Sequence, residues 1–300
     1  MAKAILTTKP GGKYDDLPEE RYHFPKSYLN QVESAVGDLI IYYEPRRTGQ
    51  NDHNSTGRQS YVAIARVTSI TQDQSLSDHY YAHIADFLHF DNAVPFRQND
   101  HYYESVLRRE DGKTSKGAFG RSVRTIPDDE FELILADGFE AALGDFVPDD
   151  RSHYDNSFGF DEEQQPFERP LVETTLTRPF RDRAFSRQVR QAYDCRCALT
   201  GLRLINGLGR PEVQAANIIP VADNGPDSIR NGLALSSTVH WMFDRGLVAI
   251  DNDYSIVTGN VPPEMGRLIN ASGRAAIPES QELQPHLQFL RYHREHIFKG

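Results

Sequence analysis

The residues best suited to chemistry in this chain gather in one segment, VQAANIIPVADNGPDSIRNGLALSSTVHWMFDRG, which carries Asn217, Asn231, His240 and Asp244. Ser236 or Ser237 can cap a helix that Gly246 stops, so His240 and Asp244, four positions apart, share one helical face. One imidazole and one carboxylate, with room left for water and phosphate oxygens, suit Mg²⁺, Mn²⁺ or another divalent transition metal better than a closed zinc site. The plainer use of such a pair is a surface hydrogen bond. Taken alone, the pair favours that hydrogen bond. Asn217 is of another kind, because an amide cannot accept a proton at neutral pH.

These residues need elements to hold them. VQAANIIPV and GLALSS read as two strands joined by the turn-forming ADNGPDSIRN, and the helix follows, giving the order strand, strand, helix. Ahead of them, Phe185, Val189, Ala192 and Tyr193 recur at helical spacing with arginines on the remaining faces, which predicts an amphipathic helix with a basic outer side. LVAID and YSIVTG predict a hairpin, and SQELQPHLQFLRYHREHIF a closing helix with Leu287, Leu290 and Phe298 inward.

Further towards the N-terminus, GDLIIYYEP, YVAIARVTSI and HYYAHIADFLHF are rich in β-branched and aromatic residues and predict a small barrel or curled sheet. The polar stretch at 46–58 reads as a mobile loop, and the acidic, Pro-containing stretch at 140–174 as a linker or belt. The expected class is α+β, divided into 1–140, a connection at 141–177, and 178–300.

A net charge of −10 over 300 residues excludes a surface that grips nucleic acid all over, since phosphate binding depends on Lys and Arg replacing counterions. Any such contact must be local. Arg46, Arg47, Arg58 and Arg66 form one basic group; Arg178, Arg181, Arg183, Arg187 and Arg190 form another. No long apolar run predicts a membrane span, and the N-terminus lacks the order of a signal peptide, so a cytoplasmic protein is expected. Cys195 and Cys197 make neither a disulfide framework nor a paired zinc motif, and buried packing is expected of them.

Taken together, RDRAFSRQVRQAY, DCRCALTGL, VQAANIIPVAD, NGLALSSTVH and WMFDRGL followed by VAID resemble the HNH endonucleases of ββα-metal fold, over about residues 181–256. The resemblance implies that His240 and Asp244 bind the metal, that Asn231 fixes the motif loop, and that Asn217 occupies the general-base position, normally a histidine. His240 and Asn231 join Asn217 as the expected catalytic residues, with Arg183 and Arg187 as phosphate contacts. Ala216 departs from relatives with a metal-binding Asp or His there. Two explanations of Asn217 stand: a natural variant, or a deliberate His→Asn change that leaves DNA uncut. The intact surroundings favour the second.

The opening KYDDLPEERYHFPKSYLNQVESAVGDLIIYYEPRR resembles the EVE branch of the PUA-like superfamily, which precedes HNH domains in modification-dependent restriction endonucleases. That resemblance covers roughly 10–140 and rests on arrangement. It implies a β-barrel that flips a modified cytosine, 5-methyl or 5-hydroxymethyl, from double-stranded DNA into an aromatic pocket. Tyr22, Phe24 and Pro25 on a first loop and Tyr80 and Tyr81 on a later strand are the candidate walls, with Arg46 and Arg47 near the DNA; Asp15 and Asp16 can bond a base edge or shape a turn. His23, His79, His83 and His89 read as structural or exposed. One HNH site cuts one strand, so a homodimer is one route to a double-strand cut. The competing readings are a non-catalytic DNA-binding module on an HNH scaffold and an HNH defence effector sensing another signal.

Overall fold

The computed structural model describes residues 3–8, 16–46, 58–140 and 177–300. Arg47, Asp15, nearly all of the 46–58 stretch and the connection through residue 176 lie outside the described residues. The N-terminal part is built on strands β1 (Lys3–Thr7), β2 (Arg21–Pro25), β3 (Leu39–Glu44), β4 (Ser60–Gln72) and β5 (His79–Pro95). The two-residue pair β6 (Arg97–Gln98) and β7 (His101–Tyr102), the short helix α2 (Lys116–Phe119) and the strand β8 (Val123–Ile126) follow. One sheet runs in the order β2-β5-β4-β3-β1-β8, with β1 and β3 parallel and the other neighbours antiparallel.

The sheet curls into half a barrel, and its sequence explains how. Residues alternate across a strand, and in β3 both sets are apolar, so both faces bury a core. Leu39, Ile41 and Tyr43 enter one cluster with Phe131, Ile134 and Leu135 of α3 (Asp128–Gly138). Ile40 and Tyr42 enter the other, with Val32 of α1 (Leu29–Ser34). The long β4 and β5 slip register near Tyr61, Ile64 and Val67, and such bulges add the bend and twist that curl a sheet.

The stretch RYHFP, expected as a loop, is the edge strand β2, paired with β5 from Arg21↔His83 to Pro25↔His79. Its alternation is strand-like, and Pro25 sits at the end, where no further ladder bond is required of it.

The C-terminal part starts with α4 (Arg178–Ala192), which begins a full two turns before the segment read as helical. Pro179 lies at the helix start, where its missing N–H costs no hydrogen bond. Next come β9 (Gln214–Asn217), β10 (Gly232–Leu235), α5 (Ser237–Asp244), the hairpin β11 (Val248–Ile250) and β12 (Ile256–Thr258), the short α6 (Pro263–Gly266) and α7 (Leu287–His296). Gly246 ends α5 at φ +74°, and a Cβ there would come within 2.1 Å of the Ile297 carbonyl oxygen, so this turn requires glycine. In α7, Phe289 and Leu290 are buried while Leu287, expected inward, is 40 % exposed. Among the described residues no helix is long and apolar enough to cross a membrane.

The two parts meet along α4. Its Phe180 and Ala184 belong to a cluster of the N-terminal sheet, and Phe185 and Val189 to the C-terminal core. Polar contacts flank this seam: Arg181 to Asp86 at 2.5 Å and to Asp227 at 2.6 Å, Arg187 to Asp91, and the Gln188 amide donating to the His89 carbonyl at 2.8 Å. Arg230 meets Glu19 at 3.2 Å, and the Ser228 hydroxyl donates to the same carboxylate.

Two histidines are held neutral by this packing. Burial pushes His89 down from 6.5 to about 4, with Glu19 opposing and Arg230 and Arg58 adding to the effect. Burial likewise takes His293 to about 4, although its ring contacts the Phe243 carbonyl oxygen at 3.1 Å. The unfolded chain therefore takes up these protons first on acidification, so stability holds above pH 6.5 and falls as the pH drops from 6.5 towards 4. Thermal melts across that window should show a falling Tm, and a smaller fall in a His89→Gln/His293→Gln protein; equal falls would exclude these two groups as the source.

Candidate active site

β9 and β10 pair antiparallel from Gly232↔Asn217 to Leu235↔Gln214, and α5 packs behind them. Val239, Met242 and Phe243 are the buried side of α5. His240 and Asp244 fall on its other side, one turn apart, with Nε2 of His240 3.4 Å from the carboxylate of Asp244. Nδ1 of His240 contacts Oε1 of Gln214 at 3.0 Å, which calls for an N–H on Nδ1 and turns Nε2 towards Asp244. The Gln214 amide also contacts Ser237 Oγ, so strand β9 orients the histidine.

Among the described residues no three His, Cys, Asp or Glu side chains converge as a metal cage. The pair therefore offers two protein donors, and the His240 and Asp244 side chains are 23 % and 55 % exposed. That donor set fits a hydrated, hard divalent cation with most positions left to water and substrate oxygens.

Asn231 is fully buried, and all of its amide is used. Its Oδ1 accepts from the Ile219 N–H at 2.9 Å, and its Nδ2 donates to the carbonyls of Ile219 and Pro226 at 3.1 and 3.0 Å. The side chain closes the loop between the two strands. Gly225 lies so near that loop that a Cβ would stand 1.9 Å from the Ile219 carbonyl oxygen. Asp227, wholly buried, ties the same loop to Arg178 and Arg181 of α4.

Asn217 ends β9, beside Gly232. Its Nδ2 is buried with no hydrogen-bond partner, and no hydrogen bond joins it to His240 or Asp244. Cys197 is buried and receives the Ser236 N–H at its sulfur; Cys195 is half-buried, and both are free thiols.

Residues 197–251 match the family HNH_2, described as HNH endonuclease. This segment is an HNH endonuclease domain. It contains β9, β10, α5 and β11, so Asn217, Asn231, His240 and Asp244 all lie inside the HNH domain. Two solved structures are similar along nearly the whole chain. One is described as a modification dependent TagI restriction endonuclease, at 15% identity and TM-score 0.30, covering 98% of this chain and 81% of that one. The other is described as the Type IV phosphorothioation-dependent restriction endonuclease ScoMcrA, at 13% identity and TM-score 0.20, covering 97% and 57%. No curated protein matches this chain.

Most of the residues read as reader walls are packed against one another or on the sheet. Tyr22 and Phe24 are in the core, stacked at a ring separation of 6.1 Å. Tyr80 packs on Phe24, and Tyr81 stacks on His23, whose Nε2 lies 3.0 Å from the buried Asp73. Pro25 ends β2, and Arg46 is exposed just past β3. Arg183 is on the exposed side of α4, whereas Arg187 is turned onto Asp91 of β5 rather than outward.

A cleft that sequence reasoning missed opens between the sheet and the C-terminal strap at 280–287, with a volume of about 640 Å³. Asp16, Glu19, Tyr42, Glu44, Phe87 and His89 are among its lining residues. The Tyr42 hydroxyl is buried without a hydrogen-bond partner, and burial, with Asp16 and then Tyr22 and Glu19 adding, raises it well above its usual range. It is a neutral donor there. These residues come from segments distant in sequence, so only the pairing of β3, β4 and β5 brings them together.

The clamp made by Asn231 is directly measurable. Asn231→Ala strands the buried Ile219 N–H and should cost about 3 kcal/mol, by the cost of orphaned buried polar groups. Urea unfolding checks this, and a loss under about 1 kcal/mol would show that the loop closes without the side chain.

Proposed function

We propose that this chain is a modification-dependent DNA endonuclease, with a reader of PUA/EVE-like kind at 1–140, a connection at 141–177 and a nuclease at 178–300. The observation that carries the nuclease half is the outward His240 and Asp244 pair on α5, within the HNH domain and oriented by Gln214.

His240 and Asp244 would hold a divalent cation, Mg²⁺ or Mn²⁺, which when bound neutralises charge on the scissile phosphate and the leaving 3′-oxygen. Asn231 keeps the motif loop closed, so the strand end bearing Asn217 stays in place. Asn217 would be the residue facing the attacking water. Its amide can orient a water by hydrogen bonding and cannot take the proton, which fits a chain that binds DNA and cuts it poorly.

The reading half is supported by the cleft beside Tyr42. A flipped base needs flat walls and a few polar groups, and stacking offsets the unpairing cost of a few kcal/mol. Phe87 and Tyr42 supply rings, Asp16 and Glu44 supply acceptors suited to an exocyclic amine such as that of cytosine, and Tyr42 supplies a donor.

The second reading, a DNA-binding module on a silent HNH scaffold, is favoured by Asn217 itself. One experiment separates the two. With Mn²⁺ or Mg²⁺, an Asn217→His protein should cleave faster than the present chain by about 10² to 10⁴, the usual worth of a general base. Matched duplexes carrying 5-methylcytosine, 5-hydroxymethylcytosine, phosphorothioate linkages or no modification then report the reader. No cutting with any divalent ion would make the silent scaffold the answer, and equal cutting of all four duplexes would remove the reader. His240→Ala should abolish Mn²⁺ binding in a calorimetric titration, and unchanged binding would move the metal elsewhere. Base flipping predicts a rise in 2-aminopurine fluorescence when that base is placed opposite the modified cytosine; a silent probe would exclude it.

A further inference from the structure

Between α4 and β9 the chain makes a hairpin that the nuclease reading does not use. Ile205 bridges Pro211, the Glu212 N–H donates to the Leu204 carbonyl at 3.0 Å, and the Asn206 N–H donates to the Arg210 carbonyl at 3.0 Å. Oδ1 of Asn206 accepts from the Leu208 and Arg210 N–H groups at 3.0 and 2.9 Å, so the tip is held by its own hydrogen bonds. What this ordered tip presents is apolar: Leu208 is 94 % exposed, and Leu202, Leu204 and Ile205 are also exposed. Burying such side chains in solvent-free contact is worth energy that the isolated chain forgoes.

The hairpin's inner side and α4 enclose a groove of about 530 Å³ lined by Arg190, Arg210, Leu204, Ile205 and Gln214 among others. Gln214, which also contacts His240, lines one side, so the groove adjoins the strand that orients the HNH pair. Arg190 and Arg210 have no acidic partner among the described residues, unlike Arg181 and Arg187 on the same helix as Arg190. Glu212 also lines the groove, with one carboxylate oxygen accepting from the Ser237 N–H, so two guanidinium groups against one carboxylate leave a local positive charge on a chain of net charge −10.

Resting on the reading of the chain as a DNA endonuclease, we infer that this hairpin is a DNA-engaging finger: Arg190 and Arg210 contact backbone phosphates beside the scissile one, and Leu208 enters the adjoining groove of the duplex. Apolar tips of this sort contact sugars or wedge between base steps, while flanking arginines neutralise phosphates. A second copy of the chain is a poorer occupant. A two-fold contact through this surface would set the same arginines of both copies into one interface.

The test uses the present chain, which binds without rapid cutting, and its Arg190→Ala/Arg210→Ala and Leu208→Ser variants. Fluorescence anisotropy on one modified duplex is read over a range of salt. The double variant should bind about tenfold or more weakly and lose about 2 from the slope of log K against log salt, the change expected for two phosphate contacts. Leu208→Ser should weaken binding severalfold with the slope unchanged. All three proteins should keep the same Tm and the same Mn²⁺ titration, because the substituted side chains lie away from the cores and from His240. Unchanged affinity and slope in the double variant would overturn the finger while leaving the endonuclease reading intact. A parent chain that binds no duplex would overturn both. Sedimentation showing a dimer that Leu208→Ser dissolves, with DNA binding unaffected, would assign the hairpin to self-association instead.

Discussion

The constraint on which the rest depends is the double membership of α4. Phe180 and Ala184 sit in the core of the curled sheet, and Phe185 and Val189 sit in the core of the HNH domain's half of the chain. Full burial of side chains such as Phe180, Phe185 and Val189 contributes about 1.5–3 kcal/mol each. Ion pairs lie beside them, Arg181 with Asp86 and Asp227 and Arg187 with Asp91. Burial would raise the pKa of Asp86, yet Arg66 and Arg181 together hold it below the usual carboxylate range, so there the partners outweigh desolvation and the charge is kept. A helix pinned by apolar anchors and registered by paired charges carries the motif loop with it, because Asp227 of that loop meets the same arginines.

From that anchored loop the site is assembled by short-range contacts. Asn231 closes the loop on Ile219 and Pro226, Gly225 lets the backbone approach, and the pairing of Gly232 with Asn217 sets the end of β9. At the other end of the same strand, Gln214 reaches α5 and turns His240. The strand thus holds both ends of the candidate site, with Gln214 orienting His240 at one end and Asn217 at the other.

How much of this was legible in the sequence follows from what each residue answers to. The β-branched runs of β3, β4 and β5 and the strand, strand, helix order of the HNH domain obey local periodicity, and the sequence shows them plainly. Tyr22 and Phe24 read as loop residues because Pro25 and the neighbouring charges obscured a five-residue edge strand, whose pairing with β5 is non-local. The arginines of α4 form a charge run whose composition cannot reveal its partner; Arg187 meets Asp91 across 96 positions of sequence. The cleft at Tyr42 was hidden for the same reason, since its walls come from β3, β5 and a C-terminal strap. Contacts within a turn or a helix could be read, and those made by strand pairing and by the seam between the two halves could not.

The acidic balance of the chain acquires a physical role in this arrangement. Asp86, Asp91 and Glu19 on the N-terminal half neutralise Arg181, Arg187 and Arg230 on the other half, so the charges that join the halves are withdrawn from any external anion. Arg190 and Arg210 are left in the groove beside Gln214. Long-range attraction of DNA to a molecule of net charge −10 is unfavourable, and screening confines electrostatic attraction to about 10 Å at ordinary salt. Binding must then come from close, local contacts around the HNH pair and the cleft. On the proposed reading, such a protein holds non-specific duplex weakly, and a local recognition event at the cleft would decide whether the nuclease site stays on DNA at all.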